Sequence, residues 1–504
     1  MRVFHSAVVC WLFVLSSEPL AQPNVLEASI EELQEWLSSG QMTSAELVTW
    51  YQQRIDAYDQ QGPSLNAIQH RNPDALAQAI ALDEERTRSG PRSVLHGIPV
   101  LVKDNYETVD MPTTAGSVIL EGHWPRQDAT QIAKLKAAGA IILAKTTMHE
   151  FAYGWTTRGS AFGMTRNPYG LDRHPGGSSG GTGAAVAANF AAAGMGSDTC
   201  GSIRVPAAHN NLVGLRGTQG MSSRTGIVPL SSSRDIGGPL ARSVRDLAIM
   251  LDATVGYDPL DAQTAVSFRR IPDSYLAELR QLDVSGWRIG VLSDLFGDQS
   301  AHASVNQQIQ RVLRGLSEAG ASIIRLTSPE IAMLQVDPLH FFVDNYDLRQ
   351  DLTAYLQQFP GLAVQSFAEL ATDERLSSDV ATLWEEILSS DYDSRNMYLE
   401  RQAEGRRIRT VLLTLYQAHE LDVMVYPTAT SEAARLGEAQ PHFNCKLASA
   451  SGLPAIAVPA GFGRDDMPVA IELLAEPWAE QKLLDLAYTI EDLFPARALP
   501  TSTP

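Results

Sequence analysis

Cysteine is scarce in this chain: 504 residues carry three, Cys10, Cys200 and Cys445. No C-x-x-C pair and no Cys/His ligand spacing occurs, so neither a structural zinc nor any other metal or cofactor is expected. Clusters of Lys and Arg are also missing, and the formal net charge is −19 with a pI near 5.0. A phosphate-binding face needs concentrated basic side chains, so nucleic acid is not an expected partner. Membrane-length apolar runs are absent too. The N-terminal "MRVFHSAVVCWLFVLSSEPLAQPN" holds nine apolar residues from Ala7 to Leu15, too few to cross a bilayer. With Arg2 before them and small polar residues after, they read as a secretory signal peptide over residues 1–21, cleaved after Ala21. The expectation is a secreted or periplasmic protein with no membrane association after cleavage. Cys10 would be lost with the signal, leaving Cys200 and Cys445 either to pair in an oxidising compartment or to stay as two buried thiols. Repeats, low-complexity linkers and Asn-x-Ser/Thr sites do not occur.

The composition that remains, 44% hydrophobic and 19% charged, is that of a globular protein with a large core. "TSAELVTWYQQRIDAYD" opens with Thr43 and Glu46 in capping-box spacing and puts Leu47, Val48, Tyr51 and Ile55 on one side, which predicts a helix. "NPDALAQAIALDEERTRSG" predicts another, with Pro73 near its start and Gly90 after its end. Short apolar runs follow: "IPVLV", "AIILA", "WRIGVL", "SIIRL", "LDVMVYP", "PAIAVPAGF" and "MPVAIELL". They alternate with helical segments such as "DATQIAKLKAAG" and "SVNQQIQRVLRGLSEAG". This alternation implies an α/β fold with a largely buried sheet, in one large domain over residues 22–504. Residues from about 272 to 405 read as more helical and polar, a lobe laid over the sheet.

Three positions carry candidate chemistry. Lys103 follows "IPVLV" directly and so stands at the C-terminal end of a buried strand, where open α/β sheets place ligands. Desolvation there would lower its pKa and make it a neutral base, although most strand-end lysines are simply solvated. Ser178 and Ser179 sit in "GGSSGG", which satisfies G-x-S-x-G in two registers. A hydrolase nucleophile elbow needs a strand just before the serine, and "TRNPYGLDRHP" is coil instead. A phosphate loop fails because no Gly-Lys-Ser/Thr follows. Ser202 lies in "GSDTCGSIRVP", where successive N–H groups from Thr199 to Ser202 can form an anion-binding nest. Asp198 and Arg204 flank that loop, either paired across it or as two unrelated surface charges.

"HGIPVLVKDN", "GGSSGG" and "GSDTCGSIRVPAA", the last with its serine 24 residues after Ser178, together resemble the amidase signature family. The resemblance is dense from about residue 96 to 220 and looser from the "TSAELV" helix to "SGLPAIAVPAGF". It implies a central mixed sheet covered by helices on both faces, and hydrolysis of a carboxamide C–N bond through an acyl-enzyme, without a cofactor. It places the nucleophile on Ser202, the bridging serine, held by an unusual cis peptide bond, on Ser178, and the general-base lysine on Lys103. The oxyanion hole falls on the backbone N–H groups of Thr199, Cys200, Gly201 and Ser202, with Gly177, Ser179, Asp198 and Arg204 supporting the loops. One departure is Cys200, where the family usually has a second glycine; it either fits beside the oxyanion hole or is tied to Cys445.

The resemblance implies a small-molecule or peptide amide as substrate, with peptide C-terminal amides one class. Two other readings stand beside it. A transamidosome-type glutaminase subunit is one, which the signal peptide opposes. A Ser–His–Asp hydrolase using His174 or His209 is the other. A catalytically dead binding protein on the same fold is a further possibility that the intact constellation opposes. Oligomeric state and the identity of the amide are not legible.

Overall fold

The computed structural model describes residues 23–336, 344–389, 395–441 and 443–504, so the signal peptide read over residues 1–21, and Cys10 within it, lie outside the described residues. Among the described residues there are thirteen strands: β1 (Ile68–Arg71), β2 (Pro99–Lys103), β3 (Ile141–Thr146), β4 (Arg158–Gly159), β5 (Gly163–Met164), β6 (Ala193–Asp198) and β7 (Val213–Arg216). Then come β8 (Ile236–Ala241), β9 (Arg288–Leu292), β10 (Ser322–Leu326), β11 (Val423–Pro427), β12 (Ala455–Phe462) and β13 (Pro468–Leu474). Strands β4 and β5 form a separate ribbon. The other eleven make one mixed sheet in the order β1-β3-β2-β6-β8-β7-β12-β13-β11-β9-β10.

Every residue of β2, β3, β6, β7 and β8 is buried, so both faces of the sheet are covered. This agrees with the continuous apolar runs of β2 and β3. The helix Ser44–Tyr58 has the capping box read from Thr43 and Glu46, and Ala75–Ser89 ends at Gly90. Strands β6, β7 and β8 gave no sequence signal. "AGMGSD" and "IGGPLA" are rich in glycine because neighbours press on them: a Cβ at Gly194 would lie 2.5 Å from Thr182 Cγ2. Small residues serve close packing here, and packing outweighs strand propensity.

The region 272–405 is not a lobe throughout. Its first part supplies β9 and β10, which extend the sheet. Its later helices, among them Asp344–Leu356, Phe367–Ala371 and Ser378–Ser389, build a cap with its own core. There Leu348, Leu352, Phe367, Val380 and Trp384 pack on Met148, Phe151 and Leu230 of the body.

Candidate active site

Strands β2 and β6 are parallel neighbours, with Val102 opposite Met195, so their C-terminal ends emerge together. Lys103 ends one and Ser197–Asp198 ends the other. The Lys103 amine is fully buried, with Nζ 2.6 Å from Ser178 Oγ, 2.8 Å from Ser197 Oγ and 3.4 Å from Ser197 O. Asn105 Nδ2 donates to the same Ser197 Oγ at 2.9 Å. Among the described residues, no carboxylate pairs with the amine. Burial pulls its pKa down to about 7, with Asp235 and Asp198, more distant, pulling the other way.

Ser178 arrives on irregular chain, as the coil before it requires, and the Gly177–Ser178 peptide bond is cis. Position 177 admits no side chain, since a Cβ would lie 2.6 Å from the Trp155 carbonyl carbon. The His149 N–H donates to Ser178 O at 3.0 Å, and Ser179 N–H donates to Ser202 O at 3.3 Å. The second contact holds the glycine-bracketed loop against the loop that follows β6. Ser179 Oγ also donates to Ser197 O at 3.3 Å, so this serine supports the loops.

Asp198 and Arg204 are not surface charges; both are fully buried and paired at 3.1 Å. Asp198 also accepts from Arg216 Nη1 at 3.0 Å, and Arg204 pairs onward with Glu472 of β13. Burial alone would raise the Asp198 carboxyl, but Arg204 and Arg216 more than offset it and hold it well below the usual range. This network fixes the start of the Thr199–Ser202 loop to the sheet.

Within that loop the Gly201 N–H donates to Asp198 Oδ1 at 2.8 Å, so it is already committed and leaves the expected set of four oxyanion donors. Among the described residues, no protein acceptor takes the N–H groups of Thr199, Cys200 and Ser202. Thr199, Cys200 and Ser202 line the floor of a pocket of about 530 Å³. Cys200 and Cys445 form a disulfide, with Cα atoms 5.1 Å apart. That settles the choice left open between a bridge and two thiols.

Trp155, Leu230 and Leu383 supply apolar wall, and His149, Arg158 and Asp379 meet at one side of the pocket. His149 Nε2 lies 3.3 Å from Asp379 Oδ2 and Arg158 Nε 3.8 Å from Asp379 Oδ1. Burial acts to raise Asp379, yet His149 and Arg158 together keep its carboxyl low. His174 lines the pocket but bonds Glu438 O at 3.0 Å, while His209 is enclosed elsewhere, its pKa pushed down to about 3 by burial. Neither contacts a serine hydroxyl, and the Ser–His–Asp reading loses its histidine.

Sequence reasoning missed Ser197, Asn105 and Asp235. The first two stand inside the quoted motifs, Ser197 beside Asp198 and Asn105 two residues after Lys103. Asp235 accepts from Thr199 Oγ1 at 2.6 Å, a contact made across 36 residues that spacing does not reveal.

Residues 46–484 match the family model described as Amidase. The fold superposes on peptide amidase from Stenotrophomonas maltophilia with a TM-score of 0.87 and 33% identity, covering 95% of this chain and 99% of that one. The glutamyl-tRNA(Gln) amidotransferase A-subunit from Acinetobacter baylyi is 33% identical over 474 residues, 91% of this chain and 94% of that protein. Its counterpart from Thermotoga maritima superposes with a TM-score of 0.76 at 29% identity, over 95% of this chain and 98% of its own.

Proposed function

The chain belongs to the amidase signature family, whose members hydrolyse amide C–N bonds, and from that premise we propose that Lys103, Ser178 and Ser202 carry the reaction here. The supporting observation is the 2.6 Å approach of a fully buried lysine, with no carboxylate paired to it among the described residues, to Ser178 Oγ. A neutral amine has two N–H groups and one lone pair. Ser197 O and Oγ take the two N–H groups, so the lone pair faces the Ser178 hydroxyl. Lys103 accepts the Ser178 proton, Ser178 takes that of Ser202, and Ser202 Oγ attacks the amide carbon. The N–H groups of Thr199, Cys200 and Ser202 receive the negative charge that develops on the carbonyl oxygen. On collapse the proton returns through Ser178 to the departing nitrogen. Water then hydrolyses the ester on Ser202 by the same relay.

For substrate we propose a peptide C-terminal amide or an amide of similar bulk. The likeness to a peptide amidase and a pocket with room for more than one residue support it. A glutaminase subunit of a tRNA-dependent amidotransferase is the second reading, favoured by the curated relatives. The disulfide beside the nucleophile and the leader pattern of residues 1–21 instead support an exported protein.

The test is ammonia release from a panel of aliphatic, aromatic and peptidyl amides together with free glutamine, using the mature chain and Lys103→Ala. Turnover of a peptidyl amide that disappears in Lys103→Ala supports the proposal. Turnover of glutamine alone favours the second reading, and activity that survives Lys103→Ala removes the lysine from the mechanism.

A further inference from the structure

The loop Thr199–Ser202 carries the N–H groups that must meet the oxyanion, yet it lies between the end of β6 and the helix Arg204–His209 and has no ladder bonds of its own. Its aim has to come from elsewhere. One short helix, Lys446–Ser451, grips it twice. Cys445 at the head of that helix is joined covalently to Cys200. One turn on, Ser449 Oγ donates to Thr199 O at 2.6 Å.

The second contact acts on the oxyanion donors through peptide geometry. Thr199 O and the Cys200 N–H belong to one planar trans unit and point in opposite directions. Holding the carbonyl on Ser449 therefore turns the N–H of Cys200 the other way. The Cys200 carbonyl is fixed likewise by Trp155 Nε1 at 2.9 Å, which aims the next N–H at Asp198. The disulfide pins the Cα between these two planes. Ser449 is itself buried and receives a bond from Arg234 Nη1 at 3.3 Å, so its hydroxyl has a fixed place. Close packing enforces the arrangement: Gly201 has φ +86°, and a Cβ there would lie 2.7 Å from Cys445 Cβ.

We propose that the Cys445–Ser451 segment is a positioning clamp for the oxyanion hole, with Ser449 aiming the Cys200 N–H and the Cys200–Cys445 disulfide holding its Cα. Neither Ser449 nor Cys445 lines the pocket, so both are positioning residues. This rests on the proposed amidase reading, and wild-type turnover of an amide is its control. An interaction realised only in the transition state lowers kcat when removed and leaves ground-state binding alone.

The experiment uses the panel amide that wild type hydrolyses best, the aldehyde with the same acyl group, and the carboxylate product. The aldehyde adds to Ser202 as a hemiacetal whose oxygen occupies the oxyanion hole; the carboxylate tests ground-state binding. In Ser449→Ala, kcat falls about 10-fold with KM within about twofold, and aldehyde affinity falls by the same factor as kcat. Product affinity does not change. Cys445→Ala gives the same split with a larger loss, on the order of 30-fold. Treating wild type with a trialkylphosphine reproduces that loss: the phosphine and one water reduce the disulfide to two thiols, and the phosphine leaves as its oxide. Reoxidation restores the activity. Thermal melts keep every assay well below unfolding, so a folding defect is read separately. Unchanged kcat in Ser449→Ala, or equal losses of aldehyde and product affinity, overturns the clamp. An inactive wild type would instead overturn the amidase reading itself.

Discussion

Lys103 ends β2 and Lys145 lies in β3, the strand beside it, and both side chains are fully buried. Lys145 is in register with Val102, one residue before Lys103, so the pleat sends the two amines to opposite faces. Burial pulls both pKa values down. The partners then separate them. Lys145 Nζ pairs with Asp104 Oδ1 at 3.1 Å and donates to Thr113 Oγ1 and Pro112 O. Lys103 has two serines and, among the described residues, no paired carboxylate, and burial pulls its pKa down to about 7. One residue of register therefore divides a buried ion pair from a buried amine that, among the described residues, has no carboxylate paired to it. A buried amine becomes a base only where no anion faces it.

The largest expected effect lies at the C-terminal end of β2 and the loop beside it. Ser202→Ala removes the proposed nucleophile, and kcat for the best amide is expected to fall by about 10^5–10^6-fold, with the circular dichroism spectrum unchanged. Lys103→Met follows, with a loss of about 10^2–10^4-fold. Its melting temperature should move little, because no carboxylate loses its partner. Lys145→Met inverts that pattern. Leaving Asp104 buried without its cation costs about 3–5 kcal/mol, read by denaturant titration, while kcat stays within a few-fold.

The pH dependence sharpens the same contrast. Below its pKa Lys103 is an ammonium with no lone pair, so kcat/KM falls about tenfold per pH unit below about 7 and is level above. The limb should survive in His149→Ala, which separates the lysine from the pocket histidine. The smallest effect belongs to the pocket wall. Asp379→Asn weakens the meeting of His149 and Arg158 with the cap and is expected to raise KM a few-fold with kcat nearly constant.

Much of this arrangement could be read from the chain. Lys103, Ser178 and Ser202 stood out as candidates because each sits in a local motif, and β2 and β3 were reachable because their apolar runs are continuous. Strands β6 and β8 escaped because their glycines answer to neighbours such as Thr182 and Leu215 across the fold, not to strand propensity. Asp235 and Ser449 escaped for the same reason: each acts on Thr199, across 36 and 250 residues respectively. The bond from the Gly201 N–H to Asp198 was not foreseen, because a resemblance carries over N–H groups but does not show which way each one points. The pairing of Cys200 with Cys445 spans 245 residues and needed coordinates to decide.

The account turns on the charge of one buried amine, and six lysines make it accessible to direct observation. Nitrogen-labelled lysine in the Ser202→Ala protein, with Nζ signals assigned through Lys103→Met and Lys145→Met, gives both buried amines in one titration. The expected result is a Lys103 Nζ that passes to the neutral amine near pH 7 as the pH is raised from about 6 to about 8. A Lys103 signal that remains ammonium throughout that range would contradict the mechanism.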